Sequence, residues 1–388
     1  MKQILFIITS FRHGGTNKSL ENLLSLIDTD NFKADVFAME HYGPYKEMLP
    51  NCTILPEDKW LSALISHWND TMGFAKLRST IIKLLRIASN YLKINFIESL
   101  YRKSINNLIK DKKYDTVIAY SEGVPTVFLS YLNHENKIAW IHCDYSSYMK
   151  LNNNPDETKL YESYKSIVCV SEFTKNVFCK IMPEFKIKTY SIHNLVNIDI
   201  VNDLSLHPID DKRFIKRKFN IISIGRIDIV KRFDVIPEIV NKLKDKNIDF
   251  IWYLLGPKGS GLAQNKFENS INKYKINDNF IWLGSKDNPY NYLMKSDLLV
   301  VTSTSEACPY VLNEAKVLNI PIITTNYSSA VEFIEDGING FIVPLEKIAD
   351  RIEKIILNNE IYDSIKHNLS TNGYDNNLML NKIYSLVV

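Results

Sequence analysis

The chain has 388 residues, more than one average core can bury, which predicts two domains. Hydrophobic residues make up 45% and charged residues 23%, ordinary values for a soluble globular protein, and a formal charge of +3 is too near neutral to argue for nucleic acid. The five cysteines, Cys52, Cys143, Cys169, Cys179 and Cys308, form no CxxC pair, which argues against zinc and against a disulfide framework and suits a reducing compartment.

At the start, Ile4 to Ile8 is a short apolar run that predicts a first strand and is too brief for a signal peptide. Leu20, Leu23, Leu24 and Ile27 keep helical spacing, so Gly14 and Gly15 fall between strand and helix. There a glycine pair lets backbone approach a ligand closely, although a plain tight turn explains it equally well. The pair lacks the G-x-G-x-x-G order of a dinucleotide fingerprint. Asp28-Thr29-Asp30 is a carboxylate pair of the type that holds Mg²⁺ or Mn²⁺. It falls at the end of the first helix, the wrong edge for a site at strand carboxyl ends, and is read as a solvated turn; no metal site is expected. Further strands are predicted at Ala34 to Ala38 and Asn51 to Leu55.

From Trp60 to Lys113 the pattern turns helical. Between Phe74 and Lys113 stand ten Lys or Arg, at positions 76, 78, 83, 86, 93, 102, 103, 110, 112 and 113, against Glu98 and Asp111. Leu77, Ile81, Leu84, Leu85, Ile87, Tyr91, Leu92 and Phe96 are interleaved with them, preceded by Trp60 and Trp68. Such a basic amphipathic face suits an anionic membrane, and a solvated helix face over an ordinary core explains it as well. No window approaches the ~18 apolar residues of a spanning helix, so the expectation is a cytoplasmic protein able to touch the inner membrane face.

Strands resume at Asp115 to Tyr120, Lys137 to Ile141 and Ile167 to Val170. The second ends in W-I-H-C-D, which puts His142 and Asp144 at a strand's carboxyl end. A neutral histidine there offers a ligand one donor and one acceptor; alone, it reads more simply as a loop cap. Ser171-Glu172-Phe173-Thr174 has the form of a helix cap. The polar stretch Val201 to Lys218 is read as the linker, giving an N-terminal domain of residues 1–200, a C-terminal domain of 201–372 and a final helix over 373–388.

The second half alternates regularly. Strands are predicted at Ile221 to Ile224, Phe250 to Leu255, Phe280 to Leu283, Leu298 to Val301 and Pro321 to Thr325, with Phe341 to Val343 as a short sixth. Helical patterns between them imply a parallel sheet with right-handed crossovers. After the first of these strands comes G-R-I-D-I-V-K, where Gly225 frees the backbone and Arg226 and Lys231 could clamp a diphosphate. By itself that is also an ordinary pair of surface cations. The Gly-rich stretch from Leu254 to Gly261 lacks the Walker order and reads as a strand-to-helix turn. The stretch Ser303 to Ala315 follows a buried-strand run and carries Glu306 and Glu314 eight positions apart around Pro309. Glu306 is then expected in the loop at the strand's carboxyl end and Glu314 on the first turns of the next helix. Two carboxylates beside a helix start suit a ligand with both phosphates and hydroxyls.

These motifs, in this order, resemble the family 4 retaining glycosyltransferases, most closely over G-R-I-D-I-V-K, S-E-A-C-P-Y-V-L-N-E-A, N-I-P-I-I-T-T and E-F-I-E-D-G-I-N-G-F-I-V-P. The resemblance implies the α/β GT-B fold, two Rossmann-like domains whose parallel sheets face across a cleft. It implies that Arg226 and Lys231 bind the donor's diphosphate and Glu314 its ribose. Glu306 and the backbone around Cys308, Pro309, Tyr310 and Val311 would hold the transferred sugar and phosphates. His142 would contact that sugar, while Gly15, beside Gly14, would approach the diphosphate. His193, Asn194 and Val196 resemble the segment before the linker, and the final helix is expected to cross back onto the first domain. Ala307 and Cys308 depart from the family's usual Gly and bulky apolar residue, so the donor sugar does not carry over.

The function expected is transfer of a sugar, a UDP-sugar being the expected donor, to a glycan or lipid-linked acceptor in cell-surface polysaccharide synthesis. No metal, other cofactor or nucleic acid is expected, and residues 74–113 are the candidate membrane contact. A nucleotide-sugar epimerase and a non-catalytic partner that keeps the fold are the alternatives.

Overall fold

The computed structural model describes residues 1–66, 73–92, 95–152, 157–215, 219–246, 248–276 and 278–387. They divide into two compact units, Met1–Leu195 with Asn376–Val388, and Val196–Asp375. Each unit is built on one parallel sheet. In the first, strands β1 (Lys2–Ser10), β2 (Phe32–Glu40), β3 (Cys52–Ile54), β4 (Thr116–Ala119), β5 (Lys137–Ile141), β6 (Ser166–Cys169) and β7 (Thr189–Ser191) lie in the order β3-β2-β1-β4-β5-β6-β7. In the second, β8 (Asn220–Ile224), β9 (Ile251–Leu255), β10 (Phe280–Gly284), β11 (Leu298–Val301), β12 (Ile322–Thr325) and β13 (Phe341–Val343) lie in the order β10-β9-β8-β11-β12-β13. All pairings are parallel, so the chain is α/β with two Rossmann-like units, as the alternating pattern implies.

The continuous apolar runs are explained by burial on both faces. Ile4, Leu5, Phe6, Ile7 and Ile8 of β1 are all buried, as are Leu298 to Val301 of β11, because helices cover each sheet from both sides. Each sheet also reverses direction once in its order, between β1 and β4 and between β8 and β11. In an open parallel sheet that reversal leaves a crevice at the strands' carboxyl ends, where ligands bind.

Two sequence expectations shift. The stretch from Val201, read as linker, begins inside the helix Ile198–Ser205, and the division falls at Leu195 instead of 200. The cause is tertiary. Asn288 donates its amide to the Leu204 carbonyl at 2.7 Å and Asn291 to that of Pro208 at 3.0 Å, so the segment belongs to the second unit. Asp211 pairs there with Arg213 and Lys286, at 2.6 and 2.7 Å. The chain rejoins the first unit at Asn376, slightly later than residue 373, because Tyr374 still lies under the Lys316 ammonium, 5.6 Å from its ring.

The helical tract from Trp60 resolves into helices Lys59–Ile65, Gly73–Leu92 and Phe96–Ile109 of the first unit. Trp68 and Lys93 lie outside the described residues. Among the described residues no helix is long and apolar enough to cross a membrane.

Candidate active site

In the second unit, the loops that leave β8 and β11 at the sheet's reversal carry Arg226, Lys231 and Glu306. They are tied to each other by backbone and side chain. Thr304 N donates to the Val230 carbonyl at 2.8 Å, and Thr302 Oγ1 to that of Lys231 at 2.7 Å. These bonds fix the two loops in register, so their charged side chains meet: Lys231 Nζ lies 2.5 Å from Glu306 Oε1. Ser303 Oγ donates to the same carboxylate oxygen at 2.6 Å, and Ser329 Oγ to the Glu306 carbonyl at 2.6 Å. Glu306 is thus held by its side chain and by its backbone.

Arg226 is placed differently. Its guanidinium bonds Asp228 at 3.0 Å and is 68% exposed. Burial is the largest influence on Asp228 and pushes its pKa up. The Val230 amide and the Arg226 guanidinium together outweigh it, and the net shift is downward. A cation this exposed is free to turn to an arriving anion at little cost.

The first residue after β8 is Gly225, and the β9 loop closes down on it. A Cβ on Gly256, whose φ is +146°, would sit 1.7 Å from the Gly225 carbonyl oxygen, and one on Gly259 2.1 Å from that of Ile227. The Gly-rich stretch set aside as a phosphate loop is therefore a support that lets the β8 loop lie flat against it.

Glu314 lies on the helix Tyr310–Val317, as expected, and Pro309 stands just before its first residue. The side chain is buried and accepts a hydrogen bond from Tyr290 OH at 3.1 Å. Cys308 is buried, with Lys316, Tyr327 and Tyr374 within electrostatic range of its thiol. Val311 is also buried at the helix start. Tyr290 and Asp228 went unassigned in the sequence. Tyr290 is 24 positions from its partner, and nothing local marks it. Asp228 had a weak signal, an acid two positions after the candidate Arg.

In the first unit, Gly14 and Gly15 follow β1 and open the helix Gly15–Leu26. A Cβ on either would meet nothing within 4 Å, so the pair leaves open space at the sheet's reversal. His142 follows β5, and its amide donates to Glu122 Oε2 at 2.9 Å. Its ring lies 5.0 Å from that of Tyr120 and 6.4 Å from that of Trp140. Nε2 is buried and unbonded among the described residues. Burial pulls the imidazole pKa down to about 3, against the Tyr120 carbonyl bond that favours the charged form. With Nδ1 assigned to that carbonyl, the neutral ring presents Nε2 as a bare acceptor. Asp28 bonds the Asn31 side chain and the amides of Asp30 and Asn31, which is the solvated turn expected of it. Among the described residues no group of three or more His, Cys, Asp or Glu is arranged to hold a metal.

Residues 208–375 match the family profile described as Glycosyl transferases group 1. The chain is 26% identical over 271 residues to an uncharacterised glycosyltransferase of Methanocaldococcus jannaschii, covering 64% of this chain and 63% of that protein. The chain therefore spans less than two thirds of the length of that relative. It is 23% identical over 264 residues to the N-acetylgalactosamine-N,N'-diacetylbacillosaminyl-diphospho-undecaprenol 4-alpha-N-acetylgalactosaminyltransferase of Campylobacter jejuni, covering 66% of this chain and 69% of that one. Its fold is similar to that of Anabaena HepE in complex with UDP, with a TM-score of 0.71 at 16% identity over 99% of both chains.

Proposed function

We propose that the chain, whose residues 208–375 match the profile of the group 1 glycosyl transferases, moves a sugar from a nucleoside diphosphate sugar to a glycan or lipid-linked acceptor in cell-surface polysaccharide synthesis. The observation that carries this reading is the Lys231–Glu306 pair, a cation and an acid held 2.5 Å apart where the second sheet reverses. UDP is the expected nucleotide, in keeping with the UDP held by the similarly folded HepE.

The reaction retains configuration at the anomeric carbon. The bond from that carbon to the diphosphate breaks, and its electron pair leaves on the phosphate oxygen. Arg226 and Lys231 meet the developing charge, helped by amides at the start of the helix Tyr310–Val317. The acceptor hydroxyl attacks the same face, and its proton passes to the departing phosphate oxygen. Glu306 accepts hydrogen bonds from hydroxyls of the transferred sugar and Glu314 from those of the ribose. Within the first unit, the bare His142 Nε2 is suited to accept a hydrogen bond from a hydroxyl, and Gly14 and Gly15 leave open space beside their backbone. The backbone from Cys308 to Val311 lines the sugar and phosphates. The reaction as written uses no metal ion.

A lipid-linked acceptor is favoured by the C. jejuni relative, whose name states a diphospho-undecaprenol substrate, and by the cation-rich helices over residues 74–113. These would rest peripherally on an acidic membrane at its inner face. The test is incubation with a panel of nucleotide sugars. Diphosphate release and a raised melting temperature with one of them, and a product whose anomeric proton coupling matches the donor's, are expected. If no nucleotide sugar raises the melting temperature, a non-catalytic partner that keeps the fold becomes the better reading.

A further inference from the structure

The helix Gly73–Leu92 carries two apolar faces and buries one. Ile82 and Ser79 are buried, while Phe74, Leu84 and Ile87 are 82%, 61% and 64% exposed. Phe74, Leu77 and Leu84 recur at spacings that bring them to one side of the helix, away from Ile82, while Leu85 borders Ile82.

Beside that helix opens a groove of about 730 Å³ between it and the helices Lys59–Ile65 and Phe96–Ile109. Its apolar lining is Trp60, Ile82, Leu85, Phe96 and Leu100. Ser104, also in the lining, is buried with its hydroxyl unbonded among the described residues. Lys59, Arg78 and Lys103 complete the groove, and among the described residues none of the three is in an ion pair. The two acids that also line it are engaged. Asp58 caps the helix Lys59–Ile65 by accepting from the amides of Trp60 and Leu61, and Glu57 accepts from the His41 amide. The result is an oily trough in which three cations outnumber two acids, leaving a net positive charge of one. That combination fits a molecule with a hydrocarbon chain and an anionic head.

We propose that this groove seats the hydrocarbon chain of a membrane lipid with a phosphate head group, its phosphate held by Lys59, Arg78 and Lys103. Phe74, Leu84 and Ile87 enter the bilayer surface alongside it. This rests on the reading of a lipid-linked acceptor and makes it specific: the lipid enters the protein, beyond any adsorption of the basic face.

The test compares the full chain carrying Trp68→Phe with the same chain also carrying Trp60→Phe, so that the difference between them reports on Trp60 above Trp140, Trp252 and Trp282. The probes are phosphatidylcholine vesicles with acyl-chain bromines, with and without phosphatidic acid. Trp60 fluorescence is expected to be quenched when phosphatidic acid is present and spared when it is absent. Arg78→Glu with Lys103→Glu, both surface changes, is expected to weaken vesicle binding by about tenfold or more, since each cation near an acidic surface contributes roughly fivefold. Leu85→Ser is expected to reduce the quenching, with far-UV circular dichroism and melting confirming its fold. Vesicle binding without Trp60 quenching, equal quenching on plain phosphatidylcholine, or no binding would each overturn the proposal. Diphosphate release from a nucleotide sugar, measured without lipid, reports on the transferase reading separately.

Discussion

Lys231 and Arg226 are both cations on one loop, yet they differ in what their removal should do to the fold. Glu306 is largely buried and depends on Lys231 and Ser303 for its bonds. Lys231→Ala leaves that carboxylate short of a partner and is expected to cost about 1–3 kcal/mol in urea unfolding. Arg226→Ala removes an exposed side chain and is expected to stay within about 0.5 kcal/mol of the parent. Equal stability losses in both would contradict the arrangement. His142 gives a second residue-scale expectation. Its folded pKa of about 3 lies below the ordinary 6.5, so the unfolded chain takes up the proton first. Stability from this group is fully present above about pH 6.5 and is lost as pH falls toward 3. Between pH 7 and 5 the parent should lose about 2 kcal/mol that His142→Asn does not lose. Identical pH profiles would refute the buried neutral ring. Glu306 and Glu314 were visible in the sequence because each sits next to a recognisable strand or helix start. Tyr290 and Ser329, which bond them, were not, since each partnership is made by the sheet and leaves no local mark.

At the scale of elements, the strands were the easiest part to read. Burial on both faces demands unbroken apolar runs, and Leu298 to Val301, buried throughout, is such a run. The segment after Val201 was misread because its polarity, which suggests a linker, says nothing of the bonds that Asn288 and Asn291 send to its carbonyls. The stretch from Leu254 to Gly261 shows the same limit. Its glycines are required, but for contact with the neighbouring β8 loop. Gly256→Ala would drive a methyl into the Gly225 carbonyl. It is expected to cost about 3 kcal/mol or more, read as a lower melting temperature, and to weaken UDP binding as the Gly225–Lys231 loop shifts. A variant as stable as the parent would show that the two loops are not in contact.

For the whole molecule, the chain's end matters to its beginning. The helix Asn377–Val387 belongs to the first unit, where the Tyr384 ring stacks on Phe32 at 5.1 Å and its hydroxyl accepts from the Asp28 amide at 3.0 Å. Thr116 and Asn136 donate to the carbonyls of Val387 and Leu386. Truncation after Asp375 is expected to lower the melting temperature of the first unit and expose apolar surface to a hydrophobic dye, while UDP still binds the second. A truncated chain that melts like the parent would contradict that packing. The most direct test of the central claim is calorimetric titration of UDP into the parent and into Arg226→Ala, whose exposed side chain separates binding from folding. The parent is expected to bind UDP, and the variant to bind about tenfold more weakly or worse, as the loss of a charge-assisted bond requires. A parent that does not bind UDP, or a variant that binds it equally well, would contradict the account.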